Sequence, residues 1–188
     1  MKKRLIFVLI PILLVAVVAF AACYQGENPN NDPNNQTQDK SVLDLYGDVK
    51  NAKNATQIIT IKNGAVEIVV ETLNYNFETG KVSIERKMLN SSDADELYTT
   101  TTETKDITGN ATAKLTKNLL SDVTETATTL TATVKSANLN EVFGISASDV
   151  QGDARIELVA QNSHIVSITV SYTSANGNAV QIVTTYVY

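Results

Sequence analysis

The sequence predicts an α+β protein that is mostly antiparallel β: a curved meander sheet or incomplete barrel, with two or three short helices packed on its concave face. Three observations carry that expectation. After Pro33 the chain contains no proline and is rich in Val, Ile and Thr, as paired strands require, because proline cannot donate to a ladder. Asn63-Gly64, Thr79-Gly80 and Asn176-Gly177 divide segments of alternating apolar residues, and Asn-Gly in that setting supplies the positive φ angles of tight hairpins. Two later segments, 110–120 and 136–144, abandon the period of two for helical spacing.

The chain begins with Lys2, Lys3 and Arg4, followed by an uncharged run from Leu5 to Ala22 that ends at Cys23, the single cysteine. A basic head, an apolar run and small residues before a cut form a secretory signal. "FAAC", residues 20–23, resembles the bacterial lipobox, with Phe20 standing where Leu, Val or Ile is commoner. The resemblance implies cleavage before Cys23 and lipidation of its sulfur, so that 1–22 is a lipoprotein signal peptide. The alternative is an uncleaved span, because the run is near the shortest length that crosses a bilayer. Two small residues before Cys23 and a polar tract directly after it favour the lipoprotein. Such a protein is exported and held to the cell membrane on its extracytoplasmic side. The membrane is then its first partner, and paired acyl chains make the anchor stable.

Residues 24–40 are asparagine-rich, include Pro29 and Pro33 and have almost nothing apolar, so with Cys23 they read as a disordered linker. As a flexible coil this linker spans about 20–25 Å. Residues 41–188 then form a single β-rich half-barrel domain, long enough to bury about 70% of its unfolded surface.

Ser41 with Asp44 three residues on is a variant capping box, and Val42, Leu45, Tyr46, Val49 and Ala52 recur at helical spacing, predicting a helix over 42–53. Alternation then assigns inward faces: Val66, Ile68 and Val70; Val82, Ile84 and Met88; Leu130, Ala132 and Val134; Ile156, Leu158 and Ala160; Val166, Ile168, Val170 and Tyr172. "YTTTTETKDIT" reads as an edge or surface strand. "NATAKLTKNLL" offers Leu115 and Leu119 at helical spacing, and "SANLNEVFG" has Ser136 as N-cap and Gly144 as stop.

Composition narrows the function classes. Of the 15 basic residues, three lie in the leader, which leaves 12 against 20 acidic ones and a formal charge of −8. That balance argues against nucleic acid as a partner. With Cys23 acylated, neither disulfides nor cysteine zinc sites remain. His164 is the single histidine and sits beside a turn, a routine exposed position, so no catalytic residue is assigned and an enzyme is not expected. Asp93-Ala-Asp-Glu96 lacks the spacing and the glycine of a calcium loop, and no metal site or cofactor is expected. Sequons at Asn35, Asn54, Asn90 and Asn110 matter only in a eukaryotic secretory pathway.

From about residue 128 onward, "TTLTATVKSANLNEVFGIS" and "VQGDARIELVAQNSHIVSITVSYTSANGNAVQIVTTYVY" resemble the C-terminal half of LolA-like lipoprotein carriers and mycobacterial lipid carriers in the order of their elements. The resemblance implies an unclosed barrel, roofed by helices, whose apolar side holds acyl chains. Its lining would then be Val66, Ile68, Val70, Val82 and Ile84 from the first strands, Leu115 and Leu119 from the helical segment, and Val166, Ile168 and Val170 near the end. The ligand implied is a lipid or lipoprotein, carried by a monomer. The competing expectation is a protein-interaction lipoprotein with a packed core and no ligand cavity, since alternation marks burial whether side chains fill a core or line a pocket.

Overall fold

The computed structural model describes residues 40–90, 97–107 and 115–188. Ser41 caps a short helix α1 (Val42–Leu45), and its capping box closes in both directions: the Asp44 amide donates to Ser41 Oγ at 3.1 Å and the Ser41 amide to Asp44 Oδ2 at 3.2 Å. The continuous helix expected to residue 53 is not formed. After Leu45 the chain tightens into a 3-10 segment, Tyr46–Asn51, in which Gly47 and Asn51 are both weak helix formers. Its apolar stripe is buried all the same, at Val42, Leu45, Tyr46, Val49 and Ala52.

Nine strands follow: β1 (Asn54–Asn63), β2 (Val66–Asn76), β3 (Lys81–Leu89), β4 (Tyr98–Asp106), β5 (Leu120–Glu125), β6 (Thr129–Val134), β7 (Val150–Gln161), β8 (His164–Ser174) and β9 (Ala179–Val187). All pairs are antiparallel, in one sheet of order β4-β3-β2-β1-β9-β8-β7-β6-β5, and the sheet is not closed into a barrel. It is two meanders joined in the middle, where β1 pairs β9 from Asn54↔Val187 to Lys62↔Ala179. The chain therefore passes from one edge, β4, to the other, β5. At the two ends of that passage Ile107 packs against the core and Leu115 is buried.

Glycine with positive φ sits in three of the described hairpin turns, at Gly64, Gly80 and Gly177, whereas the β5–β6 turn (126–128) and the β7–β8 turn contain none. Gly64 and Gly177 have φ of 58° and 79°, while Asn63 and Asn176 keep negative φ. Asn63 is still in the ladder opposite Val66. The hairpin with two consecutive positive-φ residues is β7–β8, where Asn162 and Ser163 (φ 51° and 61°) connect Gln161 to its partner His164.

Helix α2 (Leu139–Phe143) ends at Gly144 in the left-handed region, φ 66°. Ser136 lies inside a 3-10 turn (Ser136–Asn138) that precedes this helix and does not cap it. Of the other segment expected to be helical, residues 108–114 lie outside the described residues; Leu119 closes a three-residue 3-10 turn and Leu120 already starts β5. Helix α1 packs over β6, β7 and β8, where Leu130, Val134, Ile156, Leu158, Leu139 and Val142 are fully buried.

Candidate functional site

Residues opposite one another in an antiparallel ladder share a face, so the register traces the core-facing side strand by strand. In the middle of the sheet one row runs Ile182–Ile59–Glu71–Arg86–Thr101, and the next runs Val180–Ile61–Val69–Met88–Thr99. Flanking them lies Thr184–Gln57–Leu73–Ile84–Glu103. The side facing the core is thus apolar toward β9 and grows polar toward β4.

Of the expected lining, Val82, Ile84, Leu115, Ile168 and Val170 are buried, and Leu119 is partly buried against the core. The β2 set is out of phase. A bulge between Val69, opposite Ile61, and Glu67, opposite Lys62, inserts Ile68 as an extra residue. Beyond it the core-facing residues are Val69, Glu71, Leu73 and Tyr75, so Val70 faces the opposite side, and Val66 is 50% exposed. A second bulge leaves Val166 unpaired between Ser167, opposite Val159, and Ile165, opposite Ala160. Ile165 takes the buried place at 0% exposure and Val166 is half-buried. Met88 faces the core side as expected but is 47% exposed.

A polar seam crosses this side, and alternation did not anticipate it. Gln57 Nε2 donates to Thr184 Oγ1 at 3.2 Å, and the Tyr75 hydroxyl reaches Gln57 Oε1 at 3.5 Å. Arg86 directs both Nε and Nη2 to Glu71 Oε2, each at 2.5 Å, with the two side chains mostly shielded from solvent. Burial pushes the Tyr75 phenol well up, and the Glu71 carboxylate pushes it further. Tyr46 and Tyr186 are raised in the same way by burial, Tyr186 also by the nearby Tyr46, Tyr188 and Tyr75. "TLNYN" held the signal for this phase, since its clean alternation puts Leu73 and Tyr75, and hence Glu71, on the core side. The preceding "VEIVV" fits both phases and hides the bulge.

His164 is not in the exposed position expected beside its turn. Its ring is half-buried and stacked on Tyr188 at 4.3 Å between centroids, and Nδ1 has no hydrogen-bond partner among the described residues. Tyr172 is buried with its hydroxyl likewise unpartnered among those residues; burial, then the Asp149 carboxylate, push it up to about 12. Among the described residues no three His, Cys, Asp or Glu side chains group closely enough to hold a metal ion. Cys23 and residues 93–96 lie outside the described residues. Among the described residues no helix is long and apolar enough to cross a membrane.

No protein-family model matches the chain, and no curated protein matches it. Among solved structures, a bifunctional dehydratase-cyclase domain of ambruticin biosynthesis is 13% identical, with 77% of this chain and 79% of that one covered. The TM-score is 0.23, too loose a superposition for the fold or the activity of that domain to be carried across.

Proposed function

We propose that this chain is an exported lipoprotein, anchored through Cys23, that holds an amphiphilic ligand, a lipid or a lipoprotein precursor, against the core-facing side of β1–β3 without catalysing a reaction. One observation carries the reading. The buried apolar surface of Ile59, Leu73 and Ile84 continues into Ile61, Val69 and the half-exposed Met88, with the Arg86–Glu71 pair set among them. An acyl chain would lie along Ile61, Val69 and Met88, and a polar headgroup would meet Arg86. A charge pair on a core-facing side is costly in a fully packed interior, whereas next to a ligand headgroup it has a use.

Mass spectrometry of organic extracts from the chain purified from its host tests this. Co-purifying acyl lipid is expected, and Met88→Asp should abolish it while leaving the thermal transition within a few degrees. A lipid-free native protein, or equal lipid on Met88→Asp, would overturn the assignment.

The second reading, a packed-core lipoprotein that binds another protein, is favoured by a different observation. Beneath α1 the side chains of Leu130, Val134, Ile156 and Leu158 are fully buried, which is how a filled interior looks. The lipid-free outcome selects it.

A further inference from the structure

The two edges of the sheet are built differently. β5 is six residues long and is broken by a bulge between Ser121 and Thr124, with Asp122 at φ 51°; bulges of this kind turn an edge away from further pairing. β4 has nine residues, an unbroken register against β3 and no proline, and eight of its nine residues are exposed.

The direction of each backbone group on β4 follows from two hydrogen bonds. The Ile107 amide donates to the Gly80 carbonyl at 2.9 Å, and the Asn90 amide to the Leu97 carbonyl at 2.9 Å. Hydrogen-bonded pairs alternate along an antiparallel ladder, so Thr99, Thr101, Glu103 and Lys105 spend their amides and carbonyls on β3. Those of Tyr98, Thr100, Thr102, Thr104 and Asp106 point out from an edge that no other described strand pairs. A two-fold partner strand completes this ladder when the axis passes beside a residue, because outward residues then lie opposite outward residues, and fails when it passes between two.

Charge selects the register. Glu103 and Lys105 flank Thr104 and are joined within the chain, Nζ to Oε1, at 2.7 Å. With the axis at Thr104, each Glu103 lies directly opposite the Lys105 of the second copy, and opposite charges so placed stabilise a strand pair. With the axis at Glu103, two carboxylates would face each other across a non-hydrogen-bonded pair, where side chains lie closest. We propose that β4 is a homodimer edge: a second copy of this chain adds its β4 antiparallel, centred on Thr104, extending the sheet through the outward groups of Thr102, Thr104 and Asp106. This replaces the monomer expected from the sequence.

Sedimentation of the full-length chain in detergent should give twice the chain mass. Thr104→Pro deletes an outward amide without touching the β3 ladder, and because it occurs twice in the dimer it should weaken association by about tenfold or more. Glu103→Lys and Lys105→Glu should each weaken it, and the double exchange should restore it. In a Cys23→Ala background, Thr104→Cys should cross-link to itself on oxidation, because directly opposed Cα atoms lie about 5.5 Å apart, within disulfide reach. Monomer mass at tens of micromolar, or a dimer that survives both single charge changes, would overturn the proposal. So would oxidation that links Thr102→Cys and spares Thr104→Cys. The charge exchanges leave the backbone intact and decide the matter even where the proline variant fails to fold.

Discussion

Tyr188 lies stacked on His164, ring centroids 4.3 Å apart and planes 24° from parallel, and donates its hydroxyl to the Ile165 carbonyl at 2.9 Å. Residues that follow β9 are thereby fastened to the start of β8, across the end of the β7–β8 hairpin. Truncating the ring to Ala should cost about 2–3 kcal/mol, less than full burial would because Tyr188 is only half-buried. Tyr188→Phe keeps the stack and loses one hydrogen bond, worth about 1 kcal/mol. Urea denaturation measures both, and equal losses for the two variants would show that the ring contact contributes nothing.

The bulge in β8 makes a sharper comparison between neighbours. Ile165→Ala should destabilise by about 2–5 kcal/mol, since its side chain is fully buried. Val166→Ala, at the unpaired half-buried position, should cost less than about 1 kcal/mol. The reverse order in chemical denaturation would place the bulge elsewhere.

Glu125, on the edge strand β5, accepts a hydrogen bond from the Val42 amide at 2.6 Å. A carboxylate thus satisfies one of the free donors at the start of α1, 83 residues away in sequence, and ties that helix to the sheet edge. Glu125→Ala should lower stability by about 1 kcal/mol, as the loss of a helix cap does. Glu125→Gln, which keeps an acceptor, should recover most of it. A neutral Glu125→Ala would mean that solvent serves Val42 equally well.

Five phenols carry raised pKa values: Tyr46, Tyr75 and Tyr186 lie well above their ordinary 10.0, and Tyr172 and Tyr188 are pushed up to about 12, chiefly by burial. A folded pKa above the unfolded one gives stability that is complete below pH 10 and is lost as pH rises through the folded value. The protein should therefore unfold in alkali between about pH 10 and 12, with tyrosinate absorbance rising together with the loss of β circular dichroism. Phenols that ionise near 10 in an intact fold would contradict their burial.

Cys23→Ala should move the chain from the detergent-rich to the aqueous phase in phase partitioning. Retention with the membrane would instead identify residues 5–22 as a span.

Much of the fold was legible because its signals are local. "ARIELVA" and "VSITVSYT" alternate cleanly, and glycines mark three of the turns. Phase across the bulges at Ile68 and Val166 was not legible, because a run such as "VEIVV" supplies apolar residues to both faces and the extra residue shows only in the partner's register. Helix length failed for a similar reason: the stripe from Val42 to Ala52 is buried as expected, yet burial of a stripe does not decide between α and 3-10 winding. The candidate site was read only as apolar lining. Arg86 and Glu71 meet across two strands, 15 residues apart, and no spacing rule within one strand brings them together.

The pairing of β1 with β9 fixes when this protein can fold. Gln57 and Thr184 join across it at 127 residues of sequence separation, so the middle of the sheet closes only after nearly the entire chain is present. Contacts this distant slow folding and leave the β1 edge uncovered while synthesis proceeds. A chain threaded out of a cell N-terminus first would stay open until its last strand emerged, and so would remain competent for passage up to that moment.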